Sequence, residues 1–211
     1  VLELFAGTGS VGKVCKSFGW EVVALDLAGA DINVNIMDWD YEKAFPPGHF
    51  DIVWASPPCR TFSNLRQSWI GRKLKEHNGE VCSAELLTRD MERIGVPILR
   101  RTQEIIEYFK PKTYVIENPQ TGRMKDYLDL PHYDADYCKY TDWGYQKRTR
   151  FWTNAKWLNQ RPLLLCKKDC CNMDKAGEKH IGGVTRGTTL KDRYRVPPVL
   201  IQHIFTCANV F

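Results

Sequence analysis

Four groups of residues in this 211-residue chain have the types and spacing to do chemistry. The first is "WASPPCRTFS" at 54–63, where the thiol of Cys59 stands behind two prolines at the end of an apolar run. Pro57 and Pro58 fix their φ angles and remove two backbone donors, so they can hold a tight loop that aims Cys59 away from a core. A free cysteine is more often a small buried hydrophobe than a nucleophile, so the rest of the chain must decide between the two. The second group is Gly7 and Gly9, followed by Asp26 and Asp38. Glycine after a strand lets backbone approach a ligand closely, although an ordinary tight turn reads the same way. Asp26 stands about 20 residues further on, the spacing of a carboxylate that grips a ribose diol. Asp38 can accept from an adenine amino group, and together these residues point to an adenosine-bearing cofactor. The third group is "QKRTR" at 146–150, which alone reads as a solvated basic surface. The fourth is Cys166, Cys170, Cys171 and His180, soft ligands suited to zinc but without a clean C-x-x-C pair. Unrelated thiols are the other reading of that group.

These residues need elements to carry them. "VLELFA", "WEVVALDL", "FDIVWAS" and "TYVIENP" read as strands, and "VGKVCKSFG" and "VPILRRTQEIIEYFKP" as helices. Strands alternating with helices imply a mostly parallel sheet with helices on both faces, with ligands at the carboxyl ends of the strands. Residues 64–95 read as a long polar loop or helical excursion. Residues 155–192 lose the periodicity. The glycine pattern lacks the last glycine of the dinucleotide fingerprint, having Lys13 and Val14 after Gly12. The Walker lysine and hydroxyl are missing too, which argues against an NTPase.

Composition sets the remaining bounds. The chain has the length of one domain, with an apolar fraction of 43%. No run approaches the roughly 20 apolar residues of a membrane span, and no signal peptide is visible. The chain starts inside a strand-like segment, as if trimmed upstream. Eight cysteines without dense spacing suggest a reducing, intracellular compartment, cytoplasm or nucleus. Net charge is +5, unevenly spread: residues 1–59 carry 3 basic and 8 acidic side chains, and residues 139–195 carry 14 basic and 5 acidic. The swing suggests a basic face for a polyanion.

Five motifs in order now carry a resemblance. "FAGTGS" (5–10), "SPPCRTFS" (56–63), "VIENP" (115–119), "QKRTRFW" (146–152) and "YRVPPVLIQHIF" (194–205) resemble those of the DNA cytosine-5 methyltransferases. They span almost the whole chain. The resemblance implies a Rossmann-like fold dependent on S-adenosylmethionine, which the first motif and the closing segment hold. Phe5, Ala6, Gly7, Gly9, Asp26, Asp38 and Pro57 are its expected contacts. It implies that the Cys59 thiolate adds to carbon 6 of a flipped cytosine, activating carbon 5 for methylation. A helix amino end or a nearby arginine would raise the thiolate fraction. Glu117 is implied as the acid at ring nitrogen 3, with partial burial raising its pKa. Asn118 is expected to fix the loop. Arg148 is expected to partner the base carbonyl or Glu117, with Arg150 a second support. Two features depart from the family: Pro119 stands where valine is usual, and only residues 155–192 are available for target recognition.

The expected organisation is a catalytic core at 1–154, a small basic recognition segment at 155–192, and a closing segment at 193–211 that returns to the core. Residues 60–80 fit a loop closing over the flipped base, with Gly71 and Gly79 as hinges, and fit a plain surface helix equally well. Arg60, Ser63, Arg66, Arg72, Lys73 and Gln146 are the expected nucleic-acid contacts, with Lys75 a further phosphate contact. In the recognition segment Lys156, Arg161, Lys167, Lys168, Lys175, Lys179, Arg186 and Lys191 suit phosphate, and Asn159, Gln160 and Asn172 suit bases. The expected partner is double-stranded DNA, with the chain either monomeric or helped by a specificity partner. An RNA cytosine-5 methyltransferase and a catalytically silent binding module on the same fold remain open.

Overall fold

The computed structural model describes residues 1–183 and 188–206; Arg186 and Cys207 lie outside them. In chain order the elements are β1 (Leu2–Leu4), α1 (Ser10–Ser17), β2 (Val23–Asp26), β3 (Ile32–Asn33), α2 (Tyr41–Ala44), β4 (Ile52–Ala55), α3 (Ala84–Asp90), α4 (Val96–Phe109), β5 (Thr113–Pro119), β6 (His132–Asp136), β7 (Arg148–Thr153), α5 (Leu190–Tyr194) and α6 (Pro198–Phe205). The strands form one sheet of order β3-β2-β1-β4-β5-β7-β6. The first five are parallel, and β7 runs antiparallel to both its neighbours. This is the doubly wound sheet of the Rossmann-like methyltransferases. It agrees with the expected fold class.

The apolar run of β4 explains why the sheet is covered on both faces. Successive side chains point to opposite faces of a strand, so a strand buried on both is apolar throughout. Ile52 and Trp54 pack with Val14 and Cys15 of α1 and with Leu200, Ile201 and Ile204 of α6. Val53 and Ala55 pack on the other face with Ile105 and Phe109 of α4.

The stretch at 64–95, expected as a long polar loop or helical excursion, becomes α-helical from residue 84. The Ser83 hydroxyl accepts from the Leu86 amide at 3.1 Å and starts α3. A π-turn, Met91–Gly95, then leads into α4, whose first turn tolerates Pro97. The turn has a packing reason: a Cβ on Gly95 would lie 2.9 Å from the Phe62 ring and clash with Thr61 Oγ1. The turn that follows Cys59 therefore seats directly on this helix.

Residues 155–183 are joined to the core. Ala155, Leu158 and Leu163 are buried with Trp54 and α6, and Trp157 Nε1 donates to the Ile204 carbonyl at 2.9 Å. No helix among the described residues is long and apolar enough to cross a membrane.

Candidate active site

The carboxyl ends of β1, β2, β4 and β5 converge, and the sequence-expected residues sit on them. After β1 the chain turns sharply: Phe5, Gly7 and Gly9 all have left-handed φ, at 60°, 51° and 64°. Gly7 N–H donates to Asp26 Oδ2 at 2.8 Å, and Leu27 N–H to Asp26 Oδ1 at 2.6 Å. Each oxygen keeps lone-pair capacity for another donor. Asp38 is exposed on the loop after β3, beside the buried Trp39. A carboxylate at the β2 end and a second beyond β3 form an acceptor pair that fits a ribose diol and an adenine amino group. The closing segment completes this side of the site, where Val196 N–H donates to Ser10 Oγ at 3.3 Å.

Glu3 was missed from the sequence. It is 3% exposed, and its two oxygens accept from Val11 N–H at 3.2 Å and Gly12 N–H at 2.9 Å. Burial raises its pKa to about 7 against these hydrogen bonds. The carboxylate thus ties β1 to the first turn of α1 and fixes the glycine turn between them. Gly12 permits the approach, since a Cβ there would lie 2.6 Å from Glu3 Oε2. An acid within an apolar strand, nine residues before a glycine, was the available signal.

Cys59 is free and half-buried, at the head of a 3-10 turn, Arg60–Phe62. Burial pushes its thiol up; the charge of Lys147 opposes this most, Glu117 adds to it, and Arg193 opposes it. The expectation that local cations make this thiol acidic is corrected: desolvation outweighs them. Asn118 Nδ2 donates to the Pro57 carbonyl at 2.8 Å, linking the end of β5 to the Pro-Cys loop.

Glu117 is buried. Tyr137 Oη donates to its Oε1 at 3.3 Å, and Lys147 Nζ lies 3.8 Å from the same oxygen. Of the two partners expected for Arg148, the base carbonyl and Glu117, the second is corrected: Arg148 is held by Asp136 at 3.1 and 2.6 Å. Arg150 is held by Asp134 at 2.7 and 2.9 Å. Strand register explains the correction. Asp136 and Asp134 lie directly opposite Arg148 and Arg150, whereas Glu117 lies opposite Phe151, on the alternate face of β7. Lys147, next in sequence before β7, takes the place beside Glu117. Its ammonium also donates to the Arg193 carbonyl at 3.0 Å.

The expected nucleic-acid residues divide. Arg60, Arg72 and Lys73 are exposed, Arg60 in an ion pair with Glu76, and Gln146 and Ser63 are half-buried. Ser63 caps the following turn by accepting from Leu65 N–H at 3.3 Å. Arg66 departs from the expectation. It is 4% exposed and bonds Asp90 at 2.6 Å, with His77 Nε2 3.0 Å from the same oxygen. It organises residues 60–90 and offers no phosphate contact. Gly71 and Gly79 both have left-handed φ, 86° and 83°. Asn172 is likewise structural: it is buried, accepts from Gly144 N–H and donates to the Cys138 and Thr141 carbonyls. The soft-ligand cluster also differs, because Cys138 joins Cys166, Cys170 and His180 while Cys171 is exposed outside it.

Fold and site together describe a methyltransferase of the Rossmann-like class. No protein-family model matches the chain. It is 46% identical to a "Probable DNA (cytosine-5)-methyltransferase" of Frog virus 3 (isolate Goorha), over 97% of each chain. The chain belongs to the DNA (cytosine-5)-methyltransferase family. Among solved structures, it aligns with a candidate DNA modification methyltransferase encoded within an E. coli prophage, with a TM-score of 0.45 and 12% identity. That alignment covers 72% of this chain and 45% of the other.

Proposed function

We propose that this chain transfers a methyl group from S-adenosylmethionine to carbon 5 of cytosine in double-stranded DNA. The observation that carries the reading is the joining of Cys59 and Glu117. Asn118, the neighbour of Glu117, donates to the carbonyl of Pro57, two residues before the thiol, and Lys147 bridges the electrostatics of both groups.

The acceptors Asp26 and Asp38 with the left-handed turn fit the nucleoside part of S-adenosylmethionine, and the closing segment meets the same turn through Val196 and Ser10. When bound, that cofactor supplies an electrophilic methyl group. The chain's residues prepare the acceptor. The target base leaves the duplex at a cost of a few kcal/mol of unstacking. The Cys59 thiol gives up its proton to solvent, its sulfur adds to carbon 6, and the electron pair of the 5,6 double bond becomes available at carbon 5. Glu117 donates to ring nitrogen 3, where charge builds. After methylation the carbon 5 proton leaves, the double bond re-forms and the sulfur is expelled. The loop through Pro57 and Pro58, held by Asn118, keeps the sulfur in place for attack, an advantage of several kcal/mol. Arg148 and Arg150, each held by an aspartate, brace β7 against β6 and so position the strand beside Glu117. Arg60, Arg72, Lys73 and Gln146 meet the nucleic acid.

The test is trapping with 5-fluorocytosine, whose fluorine blocks the final elimination. Duplex DNA and RNA carrying it are incubated with the protein and S-adenosylmethionine, then denatured. A persistent adduct is expected with DNA and wild type, and none with Cys59→Ala, which still binds DNA. An adduct surviving in Cys59→Ala refutes the nucleophile, and trapping on RNA alone refutes the substrate.

A further inference from the structure

The cluster of Cys138, Cys166, Cys170 and His180 takes no part in methyl transfer. Its four ligand atoms all lie within 4.8 Å of one another. His180 Nε2 is 3.6 Å from Cys166 Sγ and 3.4 Å from Cys170 Sγ. In a tetrahedral zinc site the Zn–S and Zn–N lengths of about 2.3 and 2.0–2.1 Å place such a sulfur and nitrogen about 3.5 Å apart. The two separations lie within 0.1 Å of that value. Three thiols and one imidazole form a Cys3His set, the donor chemistry of closed structural zinc sites.

The surroundings hold these side chains in place by separate means. Cys138 follows β6 directly. Cys166 is anchored by its amide, which donates to Asp136 Oδ2 at 2.8 Å. The loop between Cys166 and Cys170 is pinned by Asp169, 3.1 Å from Lys139 Nζ. His180 pairs with Met173 in an antiparallel bridge, and Ile181 N–H donates to the Asn172 carbonyl at 2.9 Å. Asn172 itself is buried and bonded to the backbone of residues 138, 141 and 144. Two stretches of chain, 138–144 and 166–181, therefore meet at one point.

We propose that Cys138, Cys166, Cys170 and His180 bind one Zn2+ as a structural site that fastens residues 166–180 to the edge of the sheet. Four protein ligands fill the tetrahedral shell and leave no position for substrate. Binding releases the three thiol protons to solvent, so uptake weakens in acid. Because Asp136 accepts from both the Cys166 amide and Arg148, the metal also steadies the Asp136–Arg148 pair between β6 and β7.

The test is metal content and does not depend on methyl transfer. Full-length protein purified without chelator is assayed by mass spectrometry for zinc, then stripped and titrated with Zn2+ and with Co2+. One metal per chain is expected, with the visible absorption of tetrahedral thiolate-bound Co2+. Cys138→Ser and Cys170→Ser should lose the metal, while Cys171→Ser keeps it. Failure of wild type to take up either ion, or equal loss in Cys171→Ser, overturns the proposal. If the serine variants fail to fold, alkylation mapping of wild type decides: Zn2+ should protect Cys138, Cys166 and Cys170 and leave Cys171 reactive. The absence of that protection overturns the proposal equally.

Discussion

Replacing Glu3 by glutamine should remove a pH dependence of stability that this one side chain creates. The folded carboxyl titrates at about 7, against an ordinary value of 4.5. A group whose pKa is raised on folding stabilises fully below its unfolded pKa, and that stability is lost as pH rises through the folded value. The separation corresponds to about 3 kcal/mol in total, of which about 2 kcal/mol is lost between pH 5.5 and 8.5. Glutamine carries no titrating proton. Its single carbonyl can accept from Val11 or Gly12 but not both, a penalty of roughly 1–3 kcal/mol that is constant with pH. Urea denaturation of both proteins at pH 5.5, 7.0 and 8.5 gives the difference directly. Wild type should lead clearly at pH 5.5, and its lead should shrink by about 2 kcal/mol by pH 8.5. Parallel profiles would show that Glu3 does not titrate in this range, and that burial raises it far less than the structure implies. The consequence is functional, because Glu3 holds the turn on which the proposed cofactor site is built.

Glu117→Gln keeps the size of the side chain and removes its proton, so turnover should fall at least ~100-fold with cofactor affinity nearly unchanged; near-normal single-turnover rates would assign the proton to another group. Lys147→Met removes the charge that most opposes the burial of Cys59. The pH profile of Cys59 alkylation by iodoacetamide should then move to higher pH, and an unmoved profile would separate Lys147 from the thiol. Base-resolution mapping of methylated DNA should reveal a target of about two to four base pairs, with binding that falls steeply with salt; a unique site of six or more read by this chain alone would contradict the short reading surface.

The sheet was legible because its signal is local. Alternating apolar and helical segments dictate a parallel sheet, and the run at 52–55 shows burial on both faces. The motif residues were legible one by one. Their partners were not, since register decides them: Arg148 faces Asp136 because β6 and β7 pair antiparallel at that residue, which no spacing along the chain reveals. Arg66 looked like a phosphate contact because its partner Asp90 lies 24 residues away, beyond the caps and turns that fold the excursion back. Cys138 was invisible as a ligand for the same reason, and adjacency to Cys170 made Cys171 the natural fourth. Two neighbouring side chains cannot easily serve one tetrahedral centre, whereas a strand end can bring in a distant thiol.

The corrected contacts change what the short recognition segment can do. With Leu158 and Leu163 in the main core and Asn172 bonded to residues 138–144, the segment is fastened to the catalytic sheet at several points. Removing Asn172 from the base-reading candidates leaves Asn159 and Gln160, and Asn159 already accepts from Tyr133 Oη at 2.9 Å. Few side chains remain for reading base edges, while Lys167, Lys168, Lys175 and Lys179 remain at the surface for phosphate. Phosphate contacts position a protein without specifying sequence. On the proposed reading, a segment built this way would hold DNA in a fixed relation to Cys59 and Glu117, because it is fastened to β6 and β7. The inferred metal site strengthens that fixity where apolar burial is thin, around residues 166–180. Orientation is therefore where this chain concentrates its structure, and on the proposed reading the same economy of base-reading groups would limit the length of sequence it can demand.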